Sequence, residues 1–153
     1  MPRDDFRCVH RLRVRWAEVD MQKVVFNAHY LTYIDSAIAE YWREIELPYP
    51  DQYVERYAAD MFLRKANIDY LGSARYDDQL SVLCRVARLG GSSMAMRFEI
   101  WRDAPASATH PLVTAELIYV NVDVATMKPH PWPDDVRKRV RDYERVAPTE
   151  GAP

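Results

Sequence analysis

The residues with the most chemical content lie between Val14 and Leu31. Asp20 stands on a loop after a strand-like segment, and seven residues later Asn27 opens a strongly apolar, helix-patterned run. A carboxylate close to a helix N-terminus faces unpaired backbone N–H groups and the positive end of the helix dipole, which can hold a developing oxyanion. Such a pair would cleave an activated acyl group, with the carboxylate as nucleophile or general base. The apolar stretch Val24, Val25 and Phe26 can tuck inward and bring the helix start back toward Asp20. Asn27 is also a good N-cap, a role compatible with the N–H of Asn27 or Ala28 receiving an acyl oxygen. Lys23, Ala28, His29 and Tyr30 are the candidate substrate contacts around this loop, while Glu18 reads as a solvated loop acid.

Positioning these groups requires a strand before the loop and a buried helix after it. Over residues 7–16 His10, Leu12, Val14 and Trp16 alternate with Arg11, Arg13 and Arg15, which predicts a strand with one buried and one basic face. The helix is expected from His29 to about Ile45, with Tyr30, Leu31, Ile34, Ala37, Ile38, Tyr41, Trp42 and Ile45 at helical spacing. Pro48 and Pro50 end it. Residues 51–58 read as a short helix or an irregular connection, and Asp60 to Tyr70 as a strand. Residues 79–89 and 92–102 form the strongest hairpin pattern, with Gly90 and Gly91 expected to supply a turn of positive φ. A loop at 103–110 precedes a last long strand from Leu112 to about Val124. A basic helix follows from Asp134, with Pro133 and two aspartates suited to its first turn. This order predicts an α+β domain with a mostly antiparallel sheet over residues 1–146 and a flexible tail over 147–153.

Bulk properties bound the function. The chain has 153 residues, 48% hydrophobic and 29% charged, which suits one globular domain and argues against disorder. A formal net charge of −2 gives no general attraction to nucleic acid or anionic lipid. No apolar run is long enough to span a bilayer, and the acidic N-terminal residues do not resemble a secretory signal. Cys8 and Cys84 are therefore expected as buried free thiols in a cytoplasmic protein. The sequence has no Gly-x-Ser-x-Gly elbow and no phosphate-binding glycine loop, and its four histidines lack metal-ligand spacing. No metal or redox cofactor is expected.

The run from Asp20 through Val24, Val25, Phe26 and Asn27 to Tyr30 and Leu31 resembles the signature of hot-dog-fold acyl-CoA thioesterases, in the 4-hydroxybenzoyl-CoA thioesterase-like group. The segment from Ala66 to Leu80 is similar to that group's second strand and following turn, and the likeness covers roughly residues 7–125. It implies a five-stranded sheet wrapped round one long central helix, with a C-terminal helix added here. It also implies acyl-CoA as substrate, coenzyme A being part of that substrate, and a homodimer or homotetramer with sites between protomers. Asp20 takes the place of the catalytic carboxylate, Asn27 that of the backbone donor to the thioester oxygen, and Tyr30 that of a recurring helix aromatic. Many members carry Gly where this chain has Lys23, which changes the freedom of the loop. Two other readings remain open: a non-catalytic acyl- or CoA-binding module, and a hot-dog hydratase or dehydratase. The latter needs a histidine in the loop, and none precedes His29.

Overall fold

The computed structural model describes residues 2–105 and 108–151, so part of the expected 103–110 loop, residue 1 and the last two tail residues lie outside the described residues. Apolar alternation does produce a sheet. Strands β1 (Cys8–Arg13), β2 (Ala59–Tyr70), β3 (Gln79–Leu89), β4 (Ser93–Arg102) and β5 (Val113–Asp123) lie in the order β1-β3-β4-β5-β2, each antiparallel to its neighbour. Helices α1 (His29–Glu44), α2 (Asp51–Tyr57) and α3 (Asp134–Tyr143) complete the regular structure. A two-residue strand, β6 (Thr149–Glu150), pairs in parallel with Arg88 and Leu89 of β3. The sheet therefore has six strands rather than five. The tail expected to be flexible is tied down at 149–150, where β1 has ended and left the edge of β3 unpaired.

Period two decides which strand residues face α1. Leu80, Val82, Cys84 and Val86 of β3 and Met94, Met96, Phe98 and Ile100 of β4 are buried in one cluster with Tyr30, Tyr33, Ile34, Ala37, Ile38, Tyr41 and Trp42 of α1. Each such side chain contributes roughly 1.5–3 kcal/mol by leaving water. Val136, Val140 and Tyr143 of α3 join the same core. The opposite sheet face buries only a small cluster of Phe6, Leu83 and Trp101. Cys8 and Cys84 are direct cross-strand partners, buried and free, and burial first of all pushes the Cys84 thiol pKa up.

Two sequence expectations fail for local reasons. Trp16 does not point inward with Val14. The β1 ladder stops at Arg13, and a 3₁₀ turn over Trp16–Glu18 breaks the two-residue period, leaving Trp16 77% exposed. The β3–β4 turn also does not use positive φ, which no glycine among the described residues adopts. Gly90 sits in a tight place instead: a Cβ there would meet Ser93 Oγ at 2.7 Å and an Arg88 guanidinium nitrogen at 2.8 Å, side-chain ends that would have to shift.

Candidate active site

The loop before α1 is a small hairpin. Val19 bridges Val25, Asp20 N–H donates to the Val24 carbonyl at 3.0 Å, and Phe26 N–H donates to the Glu18 carbonyl at 3.0 Å. Asp20 opens the turn, its carbonyl accepting Lys23 N–H at 2.9 Å and its Oδ1 accepting Gln22 N–H at 2.7 Å. One carboxylate oxygen thus shapes its own turn, as Asp side chains commonly do. Val25 tucks inward as expected and donates its N–H to the Ala74 carbonyl at 2.8 Å, whereas Phe26 stays half exposed.

The return arm runs directly into α1. Ala28, not Asn27, is the N-cap, and the Asn27 side chain makes no cap hydrogen bond. The chain turns into the helix through backbone bonds instead, His29 N–H to the Phe26 carbonyl and Tyr30 N–H to the Asn27 carbonyl. The N–H groups of Asn27 and Ala28 find no acceptor among the described residues. Both residues are exposed. A pair of open donors at a helix start is what an oxyanion site requires.

Of the other candidates, Tyr30 is a packing residue. Its ring is buried, its hydroxyl accepts Ala74 N–H at 2.9 Å, and burial foremost raises its pKa. It pins α1 to the β2–β3 connection. The half-buried His29 packs edge-on against Phe26. Lys23 adopts φ 63°, the left-handed region that favours glycine. Glu18 corrects the sequence reading outright: it is only 5% exposed, not solvated. Its Oε1 accepts Arg15 N–H at 2.7 Å and the Tyr33 hydroxyl at 3.0 Å, and Arg15 pairs with Oε2. Burial pushes the Glu18 pKa up, but these hydrogen bonds and the guanidinium outweigh it and hold it below the ordinary carboxylate value. The sequence signal was available, a Glu three residues after the start of a turn, as in a capping box.

A cleft of about 500 Å³ opens beside this hairpin, lined by Trp16, Val19, Asp20, Met21, Lys23, Arg75 and Tyr76. Trp16 and Tyr76 meet edge to face, with centroids 5.2 Å apart. Nothing in the sequence pattern joined Trp16 to Tyr76; the Val14 N–H bond to the Asp78 carbonyl brings the two loops together. A second cavity of about 330 Å³ lies between α1 and strands β2, β4 and β5, with Ile38, Trp42, Met61 and Met96 in its walls and Asp35 at its rim. Among the described residues no group of His, Cys, Asp and Glu could hold a metal ion. No helix there is long and apolar enough to cross a membrane.

A sheet with this strand order, one face packed on α1, and a carboxylate on the loop entering that helix define the hot-dog class. Solved structures agree on the fold. The 1,4-dihydroxy-2-naphthoyl-CoA thioesterase of Synechocystis superposes with a TM-score of 0.77 at 20% identity, covering 88% of this chain and 95% of that one. A Staphylococcus aureus hypothetical protein solved in complex with CoA gives 0.80 at 15% identity, covering 95% and 89%. Residues 14–140 match the model of the thioesterase-like superfamily, and the chain belongs to that family. The acyl-CoA thioester hydrolase YbgC of Escherichia coli O6:H1 is 28% identical over 126 residues, 82% of this chain and 89% of that protein. The Haemophilus influenzae acyl-CoA thioesterase YbgC is equally similar over 82% and 88%.

Proposed function

We propose that this thioesterase hydrolyses an acyl-CoA to the free acid and coenzyme A, with Asp20 as its chemical group and the Asn27 amide, seconded by Ala28, as its oxyanion site. The observation that carries the assignment is the pair of open N–H groups at the start of α1, on the same short hairpin as the Asp20 carboxylate. Three residues of extended arm separate the Asp20–Val24 level from Asn27, on the order of 10 Å between α-carbons. Asp20 either attacks the carbonyl carbon, expelling the CoA thiolate and leaving a mixed anhydride for water to open, or takes a proton from the attacking water. No metal or redox cofactor enters either route.

The assembly we infer is a homodimer or homotetramer, with the sheet curled about α1 in each protomer. Strand β2 forms one free edge of the sheet, twelve residues long, with Phe62 and Leu63 about half exposed. An exposed edge of that length is normally covered, and an isologous copy covers it with its own β2. The buried free thiols Cys8 and Cys84 accord with a reducing, cytoplasmic setting. The direct test is thiol release from a panel of acyl-CoAs by the wild type and by Asp20→Asn. The variant should lose roughly 10²–10⁴-fold in turnover, and a wild-type rate would remove Asp20 from the chemistry.

A further inference from the structure

We infer that the acyl group this site prefers carries its own carboxylate on a small apolar or aromatic frame; this deepens the thioesterase reading and rests on it. The cleft has Asp20 in its wall. Whatever is bonded directly to the thioester carbonyl must lie beside Asp20 when the two react. The nucleotide of coenzyme A is separated from that carbonyl by the whole pantetheine arm. The pantetheine arm on the sulfur side of the carbonyl is uncharged, so the two cations in the cleft lining are matched to the acyl side.

Trp16, Val19, Met21 and Tyr76 offer flat and apolar surface, and Lys23 and Arg75 add two positive charges. The neighbouring acids are already balanced. Glu18 pairs with Arg15 at 3.3 Å, Asp77 with Arg13 at 3.1 Å, and Asp78 with Arg102 at 2.9 Å. The Lys23 and Arg75 side chains have no acidic partner among the described residues. Against the single negative charge of Asp20 the cleft keeps one net positive charge, enough for one ligand carboxylate. Lys23 also holds a left-handed φ that glycine would adopt without cost, so its side chain is kept at a backbone position that does not favour it. The cavity beside Asp35 is lined differently, with an acid and no cation, and does not suit an anionic group.

The test compares 4-carboxybenzoyl-CoA with 4-methylbenzoyl-CoA, two acyl groups of nearly equal size that differ in charge. Both kcat/KM of the thioesters and affinity for the corresponding non-hydrolysable thioethers are measured on the full chain. The carboxylated compound should be favoured about fivefold to tenfold at low salt, the range expected of two solvent-accessible charge pairs. The preference should shrink in 0.5 M salt. Lys23→Gln and Arg75→Gln should each lower the ratio, and together bring it to about one. Two single variants keep the result readable if one of them folds poorly. Equal affinity of the wild type for both thioethers, or a preference untouched by the double substitution, overturns the inference. Preferential binding of the carboxylated thioether without turnover of either thioester would uphold the inference and overturn the hydrolase reading instead.

Discussion

The two ends of α1 are built to opposite specifications. At its C-terminal end polar groups are tied into tertiary contacts. Tyr41 and the Val86 N–H both donate to Glu144 Oε1, at 2.8 and 2.7 Å, and Arg139 donates to the Ile45 carbonyl at 3.0 Å. Trp42 and Tyr53 pack edge to face in the interior. At the N-terminal end Trp16, Met21 and Tyr76 are exposed, and among the described residues two amides lack acceptors and two cations lack acidic partners. The difference teaches where the fold can yield stability for chemistry. One end of the helix anchors α3 and the β3 edge, and the other leaves donors, charge and apolar surface exposed.

The comparison breaks most sharply if the open end can be closed without loss. Asn27→Pro removes one donor and leaves a residue compatible with a helix entrance. Turnover should fall on the order of 10²–10³-fold with little change in melting temperature; unchanged kcat would return the Asn27 amide to a purely structural role. The opposite end should respond the other way. Glu144→Ala strands the Tyr41 hydroxyl and the Val86 N–H in the interior, at about 2–4 kcal/mol in denaturant unfolding, while kcat holds. A loss below about 0.5 kcal/mol would show that neither donor depends on that carboxylate.

Two buried glutamates sharpen the contrast through pH. Burial raises the Glu144 pKa, and its bonds to Val86 and Tyr41 only partly offset that. Its contribution to stability is present below the unfolded carboxylate pKa and is lost as pH rises through the folded value. The Glu18 pKa is lowered, so its contribution is present above the unfolded pKa and is lost as pH falls through the folded value. Glu18→Gln should cost roughly 1–3 kcal/mol at neutral pH, a deficit that closes on acidification. Glu144→Gln, which keeps an acceptor but no charge, should instead gain on the wild type as pH rises. Unfolding curves across pH 3–8 give both signs, and parallel profiles for the two variants would refute the opposed assignments.

Much of this was legible in the sequence where one periodicity governed. The spans of α1, β3 and β4 follow from apolar spacing, because a helix or strand buried on one face must repeat its hydrophobic residues with its own period. Asp20 and Asn27 were singled out as candidates by type and spacing. What escaped depends on contacts between distant segments. Trp16 left the strand pattern because a 3₁₀ turn follows β1, and Tyr76 joined it only through the pairing of residues 14 and 78. Thr149–Glu150 became a strand because β1 is shorter than β3, which no local signal in the tail reports.

Lys23 is the smallest test and the one that joins stability to selectivity. A non-glycine residue at φ 63° is strained by about 1–2 kcal/mol, and glycine relieves that strain while giving back part of it as unfolded-chain entropy. Lys23→Gly should therefore raise stability by about 0.5–1 kcal/mol, read as a shift in denaturant midpoint at constant m-value. The same substitution withdraws one of the two free cations from the cleft, so its preference for a carboxylated acyl group should fall. Stability and selectivity are expected to move in opposite directions from one residue. If Lys23→Gly gained stability and kept its selectivity intact, the strained backbone would have no tie to substrate choice. The open end of α1 would then owe its charge balance to Arg75 alone.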